Sequence, residues 1–318
     1  MDALSHLLRG VGADGAFVLR SSLRAPWAMR IADEAPVSVI APIRGHAWIL
    51  PADGAPVLLH QGEVGVVRGP RHYGVADDPA SPPQVRIDPG QVCVPLLDAP
   101  AVGAQAMAEV GVRTWGNAPD GPDATLLLVG TYESRSTLGQ RLLANLPELV
   151  VASREEVPAV LVDELAAQAA RDEPGQDVVL DRLLDLVLVA VLRWWFAERG
   201  PAGPNWYRAH GDPVIGRALR LMQDDPAGAW TVGGLAERTG LSRAAFARRF
   251  RELVGEPPMT FLTGWRLALA ADLLKEPTST VGAVARRVGY STPYAFSTAF
   301  TRAHHLSPQR YRARELSR

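Results

Sequence analysis

The sequence predicts an α+β chain of two domains: an N-terminal β-barrel, a helical connector, and a C-terminal all-helical domain made of two similar units. Three observations predict it. The chain has 318 residues, 47% of them hydrophobic, which suffices for two buried cores and is large for one. Its texture changes at Asn145-Leu146-Pro147, from short apolar runs cut by Pro and Gly to apolar residues at helical spacing. Its net charge of −1 hides a split at His210, with 17 Lys+Arg against 25 Asp+Glu before it and 16 against 9 after it. An acidic body joined to a basic module points to a polyanionic partner, although charge alone reads equally well as a solvated face.

From Phe17 to about Val129 the apolar runs are short: Pro36–Ile40, Ala47–Leu50, Val57–Leu59, Val64–Val67, Val92–Val94 and Leu126–Val129. That spacing reads as an all-β barrel or sandwich. Asp53-Gly54, between two runs, is a hairpin signal because both residues tolerate positive φ. The front domain is placed at 1–150.

Glu155–Arg171 and Asp177–Arg199 carry apolar residues at helical spacing around the breaker Asp172-Glu173-Pro174-Gly175, so residues 151–200 form a helical connector. On its second helix Leu180, Leu183, Leu184, Val187, Ala190, Val191, Trp194 and Trp195 cover more than one face. Part of that surface packs within the chain or meets a second copy, and a homodimer is expected. Gly200-Pro201-Ala202-Gly203-Pro204 reads as a linker, with the last domain at 210–318.

The longest apolar run, Leu186–Leu192, stops at Arg193 after seven residues, far short of the roughly 20 that span a bilayer. No membrane partner is expected. The N-terminus lacks the basic-then-apolar pattern of a secretory signal, and the single Cys93 excludes an intramolecular disulfide. A cytoplasmic location follows. Cys93, in an apolar strand, reads as an inert buried thiol or, alternatively, a redox sensor.

Asp212-Pro213 opens a helix running to about Gln223, the Asp capping free N–H groups and the Pro fitting the first helical position. Ala236-x-x-x-Gly240-Leu241-Ser242 then sets a small residue where helices cross, a glycine at a tight turn and a serine cap. Helix Arg243–Leu253 turns Phe246, Phe250 and Leu253 inward. The pattern recurs 49 positions later as Ala285-x-x-x-Gly289-Tyr290-Ser291, with Thr292 as cap, Pro293 as first helical residue and Phe296 and Phe300 inward. Between the units, Met259–Leu274 reads as one helix of about 15 residues, about 22 Å long. A rod with a recognition helix at each end suits two adjacent major-groove segments of DNA.

Trp230-Thr231-Val232-x-x-Leu235-Ala236, Ser242-x-x-x-Phe246-x-Arg248-x-Phe250, Gly255-x-x-Pro258-x-x-Phe261-Leu262-x-x-x-Arg266-Leu267 and Val288-Gly289-Tyr290 through Ser307-Pro308-x-x-Tyr311-Arg312 resemble the AraC/XylS DNA-binding domain over about residues 212–312. The resemblance implies seven helices, with recognition helices at Arg243–Leu253 and Pro293–Ala303. Base-contacting positions map to Arg243, Ala244, Ala247 and Arg248, then Pro293, Tyr294, Ser297 and Thr298. Arg248 suits bidentate pairing with guanine, whereas Thr298 offers only a hydroxyl or a methyl. Arg251 and Arg302, with Arg243 and Arg249, suit phosphate contact or a solvated surface. The chain departs from the family in His305, where a Gly is typical, and in Thr298, where a basic residue is frequent.

The front domain resembles the cupin-like sensor of one AraC subfamily in Ala25-Pro26-Trp27, Gly45-His46-Ala47-Trp48 and Gln61-Gly62-Glu63-Val64 to Pro70-Arg71-His72. No His-x-His occurs, so no metal or other cofactor is expected of His46, His60, Glu63 and His72. Trp27, Arg30, Arg44, His46, Trp48 and His72 are candidates to line an effector pocket, aromatics in a small barrel being core as readily. The expected function is ligand-responsive transcription regulation, with double-stranded DNA and an unnamed small molecule as partners and RNA polymerase a candidate third. Two other readings stand: a metal-dependent cupin enzyme tethered to DNA, and an architectural DNA binder.

Overall fold

A computed structural model describes residues 16–96, 107–119, 121–132, 146–199 and 205–316, with Ser136, Thr137, Gly139 and Leu143. The linker expected at Gly200–Pro204 lies outside the described residues. Backbone contacts divide the chain into two compact units. One is built on Val11–Arg135 and Leu143–Ala197, the other on Glu198–Arg318 with the segment Ser136–Leu142.

In the front unit the strands are β1 Phe17–Leu23, β2 Ala28–Ile31, β3 Val37–Arg44, β4 His46–Leu50, β5 Val57–His60, β6 Val64–Arg68, β7 Tyr73–Ala76, β8 Val85–Asp88, β9 Val92–Pro95, β10 Ala108–Gly111, β11 Thr114–Gly116, β12 Thr125–Tyr132 and β13 Leu149–Ala152. They form two sheets, seven strands in the order β10-β11-β1-β12-β3-β6-β13 and six in the order β5-β4-β7-β2-β8-β9. The expected barrel is thus two facing sheets and not one closed ring. One core joins them: Leu23, Ile40, Val67 and Leu127 from the first sheet pack with Met29, Ala47, Ile49, Leu59, Val75 and Val85 from the second. Strand alternation produces this face, since every second residue of each strand points the same way. The Asp53-Gly54 hairpin joins β4 to β5, which pair antiparallel with Trp48 opposite Leu58.

Two helices complete the unit, α1 Ala159–Ala169 and α2 Gln176–Arg199. Helix α1 lies against β1 and β3. Helix α2 meets β12 where Gly130 has no side chain and Leu184 occupies the space. Beside it on the helix, Asp185 Oδ1 accepts a hydrogen bond from the Tyr132 hydroxyl at 3.2 Å. The twofold apolar character of α2 resolves into a buried stripe, Leu180, Leu184, Val187, Leu188, Val191, Leu192, Trp195 and Phe196, beside exposed Val178, Val179 and Leu186.

The second unit is helical: α3 Asn205–Gly211, α4 Ile215–Asp224, α5 Val232–Thr239, α6 Arg243–Val254, α7 Pro258–Leu273, α8 Val281–Arg287, α9 Pro293–His304 and α10 Pro308–Leu316. It has two cores. Phe246 and Phe250 of α6 pack with Ile215, Leu219, Met222 and Leu235 against Phe261, Leu262 and Trp265 at the start of α7. Phe296 and Phe300 of α9 pack with Val284, Ala285, Val288 and Tyr311 against Leu267, Ala270, Ala271 and Leu273 at its end. Helix α7, 16 residues long, serves both. The segment from Ser136 joins the second core, its Oγ and the Thr137 N–H donating to the Asp272 carboxylate at 2.8 and 2.6 Å.

Candidate DNA-reading face and effector cavity

The first helix-turn-helix unit is assembled by caps. Thr231 Oγ1 accepts the Gly234 N–H at 3.0 Å to start α5, and Gly240 ends it in the left-handed region at φ +74, donating to Ala236 and Glu237. Ser242 then accepts the Ala245 N–H to start α6. With Phe246 and Phe250 facing the core, Arg243, Ala244, Arg248 and Arg251 are left exposed and Ala247 half-buried. Among the described residues Arg248 pairs with Glu252 alone, 3.8 Å away on its own helix and itself exposed. Such a pair is worth a few tenths of a kcal/mol, so the guanidinium is available to a ligand.

Arg249 is committed otherwise: its Nη2 donates to Asp212 Oδ2 at 2.6 Å. Asp212 Oδ1 also accepts the N–H groups of Val214 and Ile215, which ties the start of α4 to α6. Burial alone would raise the Asp212 carboxyl, but Arg249 and the two N–H groups outweigh it and hold it below the usual carboxylate range.

The second unit repeats the construction with Thr280 and Thr292 as caps and Pro293 at the first helical position. Gly289 turns at φ +83, and the turn reaches its cap one residue later than the first. Pro293, Tyr294, Thr298 and Arg302 are exposed, Tyr294 at 83%, and Ser297 is half-buried. Thr298 Oγ1 donates to the Tyr294 carbonyl at 3.1 Å and Thr301 Oγ1 to the Ser297 carbonyl at 2.7 Å. With those two threonine hydroxyls donating into the helix, this face offers base edges the ring and hydroxyl of Tyr294, the Ser297 side chain and the threonine methyl groups. His305, in the family's Gly position, ends α9 at φ +56.

Helix α7 fixes the two units relative to each other. Arg266, in its middle, donates from Nε to the Pro226 carbonyl and from Nη2 to the Gly228 carbonyl, at 2.6 and 2.8 Å. Those carbonyls belong to the loop between α4 and α5. Against the same loop sits Gly289, the turn of the second unit, where a Cβ would meet Ala227 Cα at 2.8 Å and the Arg266 guanidinium at 2.9 Å.

Between the sheets of the front unit lies a cavity of about 740 Å³, within the size range of small-molecule sites. Its wall is largely apolar, with Phe17, Leu19, Met29, Ile31, Val75 and Val129 among its residues. Ser21, Asp33, Tyr73, Gln91, Cys93, Trp115 and Thr131 also line it, with Leu180 and Asp177 from the start of α2. Tyr73 stays a neutral phenol, its pKa raised by burial and by nearby Asp33. Burial likewise pushes the Cys93 thiol up, the opposite of what a reactive thiolate needs.

None of the six residues expected at an effector pocket lines this cavity. Trp27 is fully buried in the core. On β2 the alternation that turns Met29 and Ile31 inward turns Arg30 out, and on β4 the alternation that buries Ala47 and Ile49 leaves His46 exposed and Trp48 half-buried. Arg44 donates to the Ala124 carbonyl, His46 Nε2 sits 3.3 Å from the Asp77 carbonyl, and His72 is exposed in a turn. On β2 the lining residues Met29 and Ile31 are the phase opposite to Arg30, while no residue of β4 lines the cavity, and nothing short of strand pairing says which residues face in. Among the described residues, no three His, Cys, Asp or Glu side chains group as metal ligands. Among them, too, no helix is long and apolar enough to cross a membrane.

A β-rich unit around a cavity, followed by two capped helix-turn-helix units on one shared helix, is the make-up of a two-domain DNA-binding regulator. A cupin family model matches residues 2–197, and a helix-turn-helix domain model matches residues 235–314. A protein of Streptomyces lividans named as an AraC-like transcription regulator is 31% identical over 293 residues, 90% of each chain. One of the same name from Streptomyces antibioticus is 31% identical over 298 residues, again 90% of each. The DNA-binding domain of AdpA, solved in complex with a target DNA, is 33% identical over 33% of this chain and 95% of its own, with a TM-score of 0.32. The chain belongs to the AraC-like transcription regulators and carries a cupin front domain.

Proposed function

We propose that the chain is a sequence-specific regulator, not an enzyme, whose hold on DNA is set by a small molecule in the front cavity. The observation that carries the reading is the pairing of a largely apolar cavity with two recognition helices, α6 and α9, that leave their outer faces exposed. Arg243, Ala244, Ala247 and Arg248 read bases in one major-groove segment and Pro293, Tyr294, Ser297 and Thr298 in the next, with Arg251 and Arg302 on phosphates. The effector acts by favouring one state of the protein over another, since equal affinity for both would shift nothing. Leu180 and Asp177 bring the cavity wall to the start of α2. The protein works in the cytoplasm as a homodimer through its connector, with RNA polymerase as a further partner.

The test is selection of random-sequence duplexes by the full-length protein, followed by salt titration of the selected sequence. Two boxes about one helical turn apart are the expected outcome. A single box would remove α9 from base reading, and no enrichment would remove sequence-specific recognition by the free protein.

A further inference from the structure

We propose that the front cavity takes a small, largely apolar amine, gripped at its cationic end by Asp33. The proposal rests on the effector reading above and names the ligand's chemistry.

Four carboxylates line the cavity, Asp33, Glu109, Asp172 and Asp177, against one cation, Arg113. Arg113 is already spent: it donates to the Arg171 carbonyl and to Asp177 Oδ1, both at 2.8 Å. An anionic ligand would therefore meet no uncommitted positive charge in the lining and would pay for leaving water without a partner. Asp177 is balanced by Arg113, whereas Glu109 and Asp172 are exposed, and the field they set draws cations inward.

Asp33 is half-buried, and its oxygens accept only neutral donors, the Ala35 N–H and Gln91 Nε2, each at 3.1 Å. No cation pairs with it among the described residues. Nearby Tyr73 is a neutral phenol and adds no charge to offset it. An ammonium group brings three donors and the missing charge, and the remaining lone pairs of Asp33 and the Gln91 amide oxygen can accept them.

A second observation points to an occupant. Ser21 and Thr131 line the cavity at 2% exposure, and neither hydroxyl has a hydrogen-bond partner among the described residues. Buried hydroxyls left open onto a cavity are polar positions awaiting a ligand. Most of the remaining wall is aliphatic or aromatic and offers nothing to a sugar's hydroxyls, so polarity is concentrated at a few points around an apolar body.

The test measures binding of a matched panel of aryl-alkyl amines, alcohols and carboxylates of graded length to the full-length protein, by calorimetry and thermal shift. The amine should bind at least tenfold tighter than the alcohol of the same body, and the carboxylate more weakly than either. Asp33→Asn, which keeps an acceptor for the Ala35 N–H, should erase the amine preference while leaving the alcohol unchanged; Thr131→Val should weaken amine and alcohol alike. Equal or tighter binding of the carboxylate or alcohol, or an amine preference that survives Asp33→Asn, overturns the amine assignment and leaves effector control standing. Binding by no member of the panel overturns the assignment and counts against the cavity as an effector site.

Discussion

Arg248 and Arg251 stand one turn apart on α6, both exposed, and their surroundings assign them different work. Arg248 leaves only a weak, exposed partner when it turns to a base edge. Arg248→Ala should cost about 1–3 kcal/mol of discrimination at one base pair. Arg251→Ala should weaken every sequence alike and reduce the salt slope by about one, and quantitative binding to a set of single-substituted duplexes at several salt concentrations separates the two. Asp212 makes a prediction of another kind. Its carboxyl is held below its usual value in the folded chain, so the stability it contributes is complete above the unfolded pKa near 4 and is lost as pH falls through the lower folded value. Asp212→Asn should cost on the order of 1 kcal/mol at neutral pH, discounted because Arg249 is half-exposed. Denaturant melts below about pH 4 should show wild type and variant converging. Asp212-Pro213 was legible as a start signal, although the helix begins two residues later than expected, at Ile215; the ion pair of Asp212 with a residue 37 positions away was not, because only the packing of α4 on α6 brings them together.

At the level of elements, two turns ask the same backbone conformation of different residues. Gly289 takes a positive φ without a Cβ penalty and in a space no Cβ could enter, while His305 takes φ +56 with a side chain. The two should respond with opposite signs. His305→Gly should stabilise by about 1 kcal/mol, the αL cost it relieves. Gly289→Ala should destabilise by more than that, because Ala227 backbone blocks the new methyl, and paired thermal melts decide it. The capped helices were legible because Thr231, Ser242, Thr280 and Thr292 mark their starts in sequence. Strand β1 was harder to read: Arg20, Ser21 and Ser22 interrupt its apolar pattern, and Ser21 faces the cavity. Strand β11 is three residues long and pairs parallel with β1, ninety-odd positions earlier, a partnership no local pattern announces. Helix α3 has seven residues, too few for periodicity to show.

For the molecule as a whole, the connector carries the surface that pairing would use. Val179 and Leu186 lie seven residues apart on one face of α2, both exposed, Leu186 at 50%. If the proposed homodimer pairs there, Leu186→Glu should sediment as a monomer in analytical ultracentrifugation where wild type sediments as a dimer, while the thermal melt changes little. A variant that stays dimeric would move the interface off α2. The division into a β-rich front and a helical back followed from texture, charge and repetition in the sequence, and the base-contacting positions proposed on both recognition helices came from the resemblance to the AraC/XylS domain. The cavity did not, because its wall is drawn from alternate residues of strands that pair far apart, such as Phe17 with Thr131 and Ser21 with Leu127.

Helix α7, with Arg266 and Gly289 braced on one loop, gives the two reading heads no independent freedom. In a genome, the sites this protein recognises should therefore behave as two short words separated by an invariant gap. Letters within either word can drift one at a time, each at a modest loss. A single inserted base pair between them turns one word about 34° around the duplex, and no change at a base-contacting residue could follow it there. Operators of such a regulator can diversify by spelling but not by spacing.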